Sequence, residues 1–336
     1  MNGKNKIELF ILIFNVYKYT RMGIRLLNKL LQKHCCRSTL CKRHLRELEG
    51  KTISVDIYNY LYRFKGDKKL VENLFVMCSI FRKYNISPIF IYDGKAPDIK
   101  QETLNERKET KKRLQQEYNE LVNKTSKRNY STKRLSELRR GFCRLTTEDI
   151  DISKKLIKSY GLSYIQSVGE SDPLCVELVK KNKAYACLSD DMDMIGYGCP
   201  RVLRYLSLMR ETVILYNYKK ILQDLDITSK DFTDLIILAG TDYGKFPKNI
   251  FLWYSDYISY QKSNIGVSFL DYLYQKNILT EEDVEKVITI RECFNPPCSI
   301  EQYPYQSFKT KCIIWNELKP ILQNNDFMFH PHICAY

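Results

Sequence analysis

Histidine is scarce. There are four in 336 residues, and none lies beside the acidic motifs described below. A histidine general base or an imidazole-rich zinc site therefore has little to draw on. No CxxC pair occurs among the 12 cysteines, and their spacing is irregular: Cys35 and Cys36 are adjacent, Cys293 and Cys298 five apart. Such spacing excludes a zinc ribbon and a disulfide framework, and fits reduced thiols in a cytosolic or nuclear setting. Long apolar runs are also missing. The N-terminal run from Ile7 to Val16 contains Glu8 and Asn15, falls short of the ~20 residues that span a bilayer, and has no small-residue cleavage site after it. Neither export nor a membrane partner is expected. The tail "HPHIC" alternates His330, His332 and Cys334, an isolated pattern that is a weak metal candidate.

What the chain has is positive charge. Lys and Arg total 54 against 39 Asp and Glu, a formal net charge of +15. An excess of that size points to a polyanionic partner, with a merely solvated basic surface as the alternative. Against this background the stretch "ACLSDDMDMIGYG" crowds Asp190, Asp191 and Asp193 into four positions. Carboxylates so close repel one another unless a cation sits between them. Taken alone, the stretch is either a solvated acidic turn or half of a metal site.

Four apolar runs end at acids. "KTISVD" reaches Asp56, "ISPIFIYDG" reaches Asp93, "GLSYIQSVGESD" reaches Glu170 and Asp172, and "KAYACLSDDMD" reaches Asp191 and Asp193. Helix-like stretches such as "KLVENLFVMCSIFRKY" and "DISKKLIKSY" lie between them. Strands alternating with helices predict an α/β fold, with a mostly parallel, twisted sheet and helices on both faces. Ligands of such sheets bind outside the carboxyl ends of the strands. One acid after a strand is an ordinary turn residue, but four strands delivering six acids to one edge point to a carboxylate-only metal centre, suited to Mg²⁺ or Mn²⁺ rather than zinc.

From Lys100 to Arg140 the composition shifts to thirteen Lys or Arg against six Glu. "QETLNERKETKKRLQQEYNELV" is polar and helix-favouring, "KTSKRNYSTK" reads as a loop, and "RLSELRRGF" as a second helix. Either this is a solvated hairpin or coiled-coil segment, or it is a basic arch whose cations, Lys111, Lys112 and Arg113 among them, track phosphates. Further on, in "DFTDLIILAGTDYG", Asp231 and Asp234 look like helix-start residues. Asp242 either joins the acidic edge or caps a turn.

Together these stretches resemble the flap-endonuclease family of structure-specific 5′ nucleases, which includes XPG-type members. The resemblance begins at "MGIRLLNKL" and continues through "SVDIYNYLY", "IYDGKAPDIK", "GESDPLCVELVKKNKAYACLSDDMDMIGYG" and "LAGTDYG", from Met22 to Gly244. It implies a PIN-like nuclease core in two parts, 22–99 and 147–245, with a basic helical arch at 100–146 and a divergent helical region at 246–336. Residues 1–21 form an extension, and Met22 is the expected natural start. By motif, the metal acids would be Asp56, Asp93, Glu170, Asp172, Asp191, Asp193 and Asp242. Asp172 stands where the family has Glu. Asp190 falls where the family often has a Glu that is not a ligand, and is left out. Lys100 and Arg107 match two cations at the base of the family's arch that contact the scissile phosphate, and Tyr62 matches an aromatic that stacks on a base. The bland alternatives are surface cations and a core tyrosine.

The resemblance implies Mg²⁺-dependent cleavage of branched DNA, with two Mg²⁺ per site (Mn²⁺ as substitute), Asp93, Asp191, Lys100 and Arg107 as catalytic groups, and Tyr62, Lys100, Arg107, Lys111, Lys112 and Arg113 on the nucleic acid. The expected substrate is DNA with a 5′ flap, nick or single-stranded end, bound by a monomer in the nucleus or at a cytoplasmic replication site. Two alternatives are a 5′→3′ exonuclease on DNA or RNA and a catalytically weak recombination scaffold. Two departures are plain. No GIGP-type hairpin follows "GTDYG", which puts duplex binding by that module in doubt, and no glutamine-led aromatic box for a sliding clamp is present.

Overall fold

The computed structural model describes residues 24–95, 100–124, 132–263, 265–295, 300, 303 and 310–327. The N-terminal extension, most of the "KTSKRNYSTK" segment and the His330, His332, Cys334 tail lie outside the described residues. In chain order the elements are α1 (Leu27–His34), β1 (Leu40–His44), β2 (Thr52–Asp56), α2 (Ile57–Gly66), α3 (Leu70–Lys83), β3 (Ser87–Tyr92), α4 (Gln101–Lys124), α5 (Thr132–Phe142), α6 (Thr147–Ser159), β4 (Ser163–Gln166), α7 (Ser171–Lys180), β5 (Ala186–Leu188), α8 (Asp193–Gly196), β6 (Arg201–Ser207), β7 (Thr212–Asn217), α9 (Tyr218–Leu225), α10 (Ser229–Leu238), α11 (Ile250–Ser263), α12 (Phe269–Gln275), α13 (Glu281–Cys293) and α14 (Trp315–Gln323).

Seven strands form one sheet in the order β1-β7-β6-β5-β2-β3-β4. From β6 to β4 neighbouring strands are parallel, while β7 runs antiparallel to both β6 and β1. Parallel strands buried on both faces read as continuous apolar runs, which is why "SPIFIY" and "TISVD" were legible as strands. Alternation still sorts the side chains. Phe90 and Tyr92 of β3 face the core beneath α2, α3, α6 and α14, while Ile89 and Ile91 face the core shared with α1, α7, α10 and α11. Several helix starts are fixed by side-chain caps. Thr146 and Asp149 form a reciprocal box at α6, and Thr228 caps α10, each cap typically worth about 1 kcal/mol.

The four acid-bearing strands, β5, β2, β3 and β4, are contiguous and parallel, so their carboxyl ends share one edge. Two glycines shape that edge. Gly94 lets the loops after β3 and β4 meet: Gly94 N donates to the Gly169 carbonyl at 2.6 Å and Lys95 N to Val168 at 3.0 Å. Gly240, with φ +93, turns the chain after α10 in a backbone region that favours glycine, directing the next loop back toward the edge. Among the described residues no helix is long and apolar enough to cross a membrane, and every cysteine is a free thiol.

Candidate active site

The six acids of the sheet edge follow strand ends or lie at helix starts, while Asp242 sits in the turn after α10. Asp56 closes β2 and precedes α2; Glu170 precedes α7 and Asp172 lies in its first turn; Asp193 opens α8. Helix N-termini carry unpaired N–H groups and partial positive charge, which favours carboxylates there. Asp93 follows β3 and accepts a hydrogen bond from Ser171 N at 2.8 Å, tying the β3 loop to the start of α7.

The carboxylates act on one another. Burial and the nearby Asp93 push the Asp56 carboxyl up to about 7. Burial, with Asp56 and Asp191 close by, raises Asp172. Burial raises Asp191, with Asp242 adding to it. Asp193 rises through burial followed by Asp191 and Asp242. The edge is thus a pool of negative charge short of cations.

Two cations come from the start of the insertion, Lys100 just ahead of α4 and Arg107 in its second turn. Lys100 is only 5% exposed, and its Nζ donates to both Glu170 oxygens at 2.8 and 2.9 Å. Burial alone would lower its pKa, but the phenol of Tyr243 and the carboxylates of Glu170 and Asp172 outweigh that and raise it. Arg107 pairs with Asp242. Thr103, between them on the same helical face, donates its hydroxyl to the Asp242 carbonyl at 2.8 Å. The base of the α4–α5 insertion is therefore clamped onto the acidic edge. Farther along, Lys111 lies 4.9 Å above the Tyr62 ring, while Lys112 pairs with the exposed Glu109 and Arg113 is exposed.

Tyr62 is half-buried on α2, with Tyr58 beside it at 6.5 Å between ring centres. Burial and then Asp93 raise its phenol, which keeps it neutral. Its platform is covered by an arch lysine rather than lost in the core.

Three contributors went unread in the sequence, and a fourth, Asp190, was read only as a non-ligand. The Ser189 hydroxyl donates to Asp56 Oδ2 at 2.8 Å and accepts from Asp191 N at 3.1 Å, joining the acids of two strands. Asn59, three residues after Asp56 and so on the same helical face, donates to both Asp56 and Ser189. Tyr243 carries Lys100 on its ring. Asp190, set aside from the ligand set, accepts from Tyr205 N at 2.7 Å and faces Arg63 at 3.6 Å, while its carbonyl accepts from Arg204. It braces the turn that presents Asp191 and Asp193.

Does this donor set fit a divalent metal? Among the described residues no three carboxylate, imidazole or thiolate groups close on a ready ligand shell. Lys100 and Arg107 stand among the acids as their counter-charges instead. The donors are nevertheless all hard oxygens, and Asp193 Oδ1 is buried with no hydrogen-bond partner. Buried carboxylates without donors are costly, and oxygen-only sets suit Mg²⁺ or Mn²⁺. The residues fit such ions.

Comparison with known proteins gives two family matches. The XPG N-terminal domain matches residues 22–114 and the XPG I-region matches residues 161–242. Flap endonuclease 1 of Methanobrevibacter smithii is 30% identical over 224 residues, covering 61% of this chain and 67% of its own. That of Methanococcus aeolicus is 29% identical over 215 residues, 59% and 64% of the two chains. The chain thus spans about two thirds of these relatives' length, and slightly less for the second. Among solved structures, the catalytic core of Rad2 in complex with DNA substrate superposes with TM-score 0.65 at 18% identity, over 90% of this chain and 95% of that one. Flap endonuclease-1 from Methanococcus jannaschii gives 0.61 at 23% identity, over 91% and 94%. These structures share the fold.

Proposed function

This chain belongs to the XPG family, and from that premise we propose that it is a metal-dependent 5′ nuclease that hydrolyses phosphodiester bonds in branched DNA, with 5′ flaps as preferred substrates. The observation that carries the proposal is the meeting of two opposites. Four parallel strands gather buried carboxylates at one edge, and an inserted basic helix sets Lys100 and Arg107 among them.

Asp56, Asp93, Glu170 and Asp172 would hold one Mg²⁺, and Asp191, Asp193 and Asp242 a second. Bound there, the ions would supply Lewis acidity for attack of water on phosphorus. The chain's own groups do the rest. The Asp56 carboxylate is oriented by Asn59 and Ser189, leaving its other oxygen to the cleft. Lys100 and Arg107 exchange their carboxylate partners for the scissile phosphate and stabilise the charge that builds on its oxygens. Tyr62 offers its face to a base once Lys111 moves to the backbone.

The test uses purified protein with labelled 5′-flap, nicked and single-stranded DNA, with and without Mg²⁺. Cleavage at the flap junction that requires Mg²⁺ is expected. Asp191→Ala should lower the rate by at least about 10²-fold while flap binding survives. A variant that cuts like the parent rejects the metal assignment. A ladder of mononucleotides from a free 5′ end, with no junction product, would favour the exonuclease instead.

A further inference from the structure

Lys100 is the least exposed cation at the site, and its surroundings explain how a flexible stem is held there. Its Nζ lies 4.5 Å from the centre of the Tyr243 ring. The Tyr243 hydroxyl is 3.3 Å from Glu170 Oε2, to which it donates, and shares a 2.7 Å hydrogen bond with the Tyr197 hydroxyl. Phe294 at the end of α13 packs against both rings, 5.5 Å from Tyr243 and 5.0 Å from Tyr197. Tyr243 is 9% exposed, and its backbone N–H is held by the Thr241 hydroxyl at 3.2 Å. The ring has one orientation, and the ammonium sits over it.

We propose that Tyr243 is a positioning residue for Lys100, acting through its ring face rather than its hydroxyl. The proposal rests on the reading of Lys100 as a phosphate contact. Lys100 has two partners of different kinds. Glu170 is an anion that a metal ion or a rearranged cleft can claim. The Tyr243 ring face is no metal ligand, so its hold on the ammonium persists when Glu170 is committed elsewhere. Cation–π attraction is strongest where the cation is desolvated, as at this buried lysine. Without the ring, a four-carbon stem would regain its rotamers and leave the path of the incoming phosphate.

Two measurements on Tyr243→Phe, Tyr243→Leu, Lys100→Ala and the Tyr243→Leu/Lys100→Ala double variant test this. The first needs neither metal nor DNA: acetic anhydride labelling of the folded protein, followed by mass spectrometry of the peptide carrying Lys100. Lys100 should be protected in the parent and in Tyr243→Phe, and should label at least about tenfold faster in Tyr243→Leu, with the other lysines unchanged. Equal protection in all three overturns the proposal, and so does faster labelling at every lysine, which would mark a general loss of fold. The second is single-turnover flap cleavage in Mg²⁺. Tyr243→Leu should lose about 30-fold, Tyr243→Phe should restore the rate to within about threefold, and Tyr243→Leu should cost nothing further in the Lys100→Ala background. A multiplicative loss in the double variant means that Tyr243 acts independently of Lys100, and sinks the proposal. If the parent cuts no flap DNA, the nuclease reading falls, and the labelling experiment alone decides the placement.

Discussion

Arg291 on α13 reaches Asp234 on α10, with its Nη2 2.6 Å and its Nε 2.8 Å from the same carboxylate oxygen. Asp234 is 1% exposed. Burial pushes its carboxyl up to about 6, and Arg291 restrains that rise. A carboxyl raised above its usual value of ~3.9 favours the folded state while protonated, and that contribution is lost as pH climbs from about 4 through about 6. Arg291→Met removes the restraint and moves the folded value higher still. The variant should therefore lose about 1–3 kcal/mol at pH 8 and much less at pH 5, in paired urea denaturations. An equal loss at both pH values would mean that Asp234 stays charged without its arginine. The sequence read Asp234 as a helix-start residue because the cap pattern is local. Its real partner is 57 positions away, beyond the reach of any local pattern. The six acids of the sheet edge were legible for the opposite reason, since they follow four apolar runs, two of which end in a pair of acids. Asn59, Ser189 and Tyr243 were not, because a hydrogen bond to an acid on another strand leaves no local mark.

Elements carry the same division. The parallel strands β2, β3, β4 and β5 and the helices between them were readable from continuous apolar runs. The edge strand β1, "LCKRH", was not: it is mostly polar and gains its strand state by pairing with β7. The loops after β3 and β4 illustrate how elements set the site. A Cβ on Gly94 would lie 2.2 Å from the Val168 carbonyl oxygen and 2.3 Å from that of Ser167. Both obstacles are backbone, so the loops must part. Gly94→Ala should cost about 1–3 kcal/mol of stability by overpacking. It should also lower flap cleavage by more than tenfold, because Asp93 and Glu170 ride on those loops. Unchanged cleavage in the variant would show that the loop zipper does not set the spacing of the two acids.

At the scale of the whole molecule the question is how a chain of net charge +15 keeps its acidic edge usable. The structure answers by segregation: carboxylates inside one sheet edge, cations on the insertion above it. The insertion's charge is not equally available, however. Lys100 and Arg107 are committed to Glu170 and Asp242, and Lys111 to the Tyr62 ring. Lys112 makes an exposed pair with Glu109, the kind worth little in water, and Arg113 is exposed. Phosphate contacts release counterions, so each one steepens the fall of affinity with salt by roughly 0.9 on logarithmic axes for duplex and about 0.7 for single strands. Binding of flap DNA by Asp191→Ala, the variant expected to bind without cutting, should weaken strongly between about 50 and 200 mM salt. Replacing Lys112 and Arg113 with Ala should lower the slope by roughly 1 to 2 and weaken binding alike for unrelated flap sequences, as phosphate contacts carry no sequence information. Fluorescence anisotropy across a salt series measures both. An unchanged slope would mean that the fourth turn of α4 never meets the DNA, and that the strand passes only over the start of the helix, where Lys100 and Arg107 wait on their carboxylates.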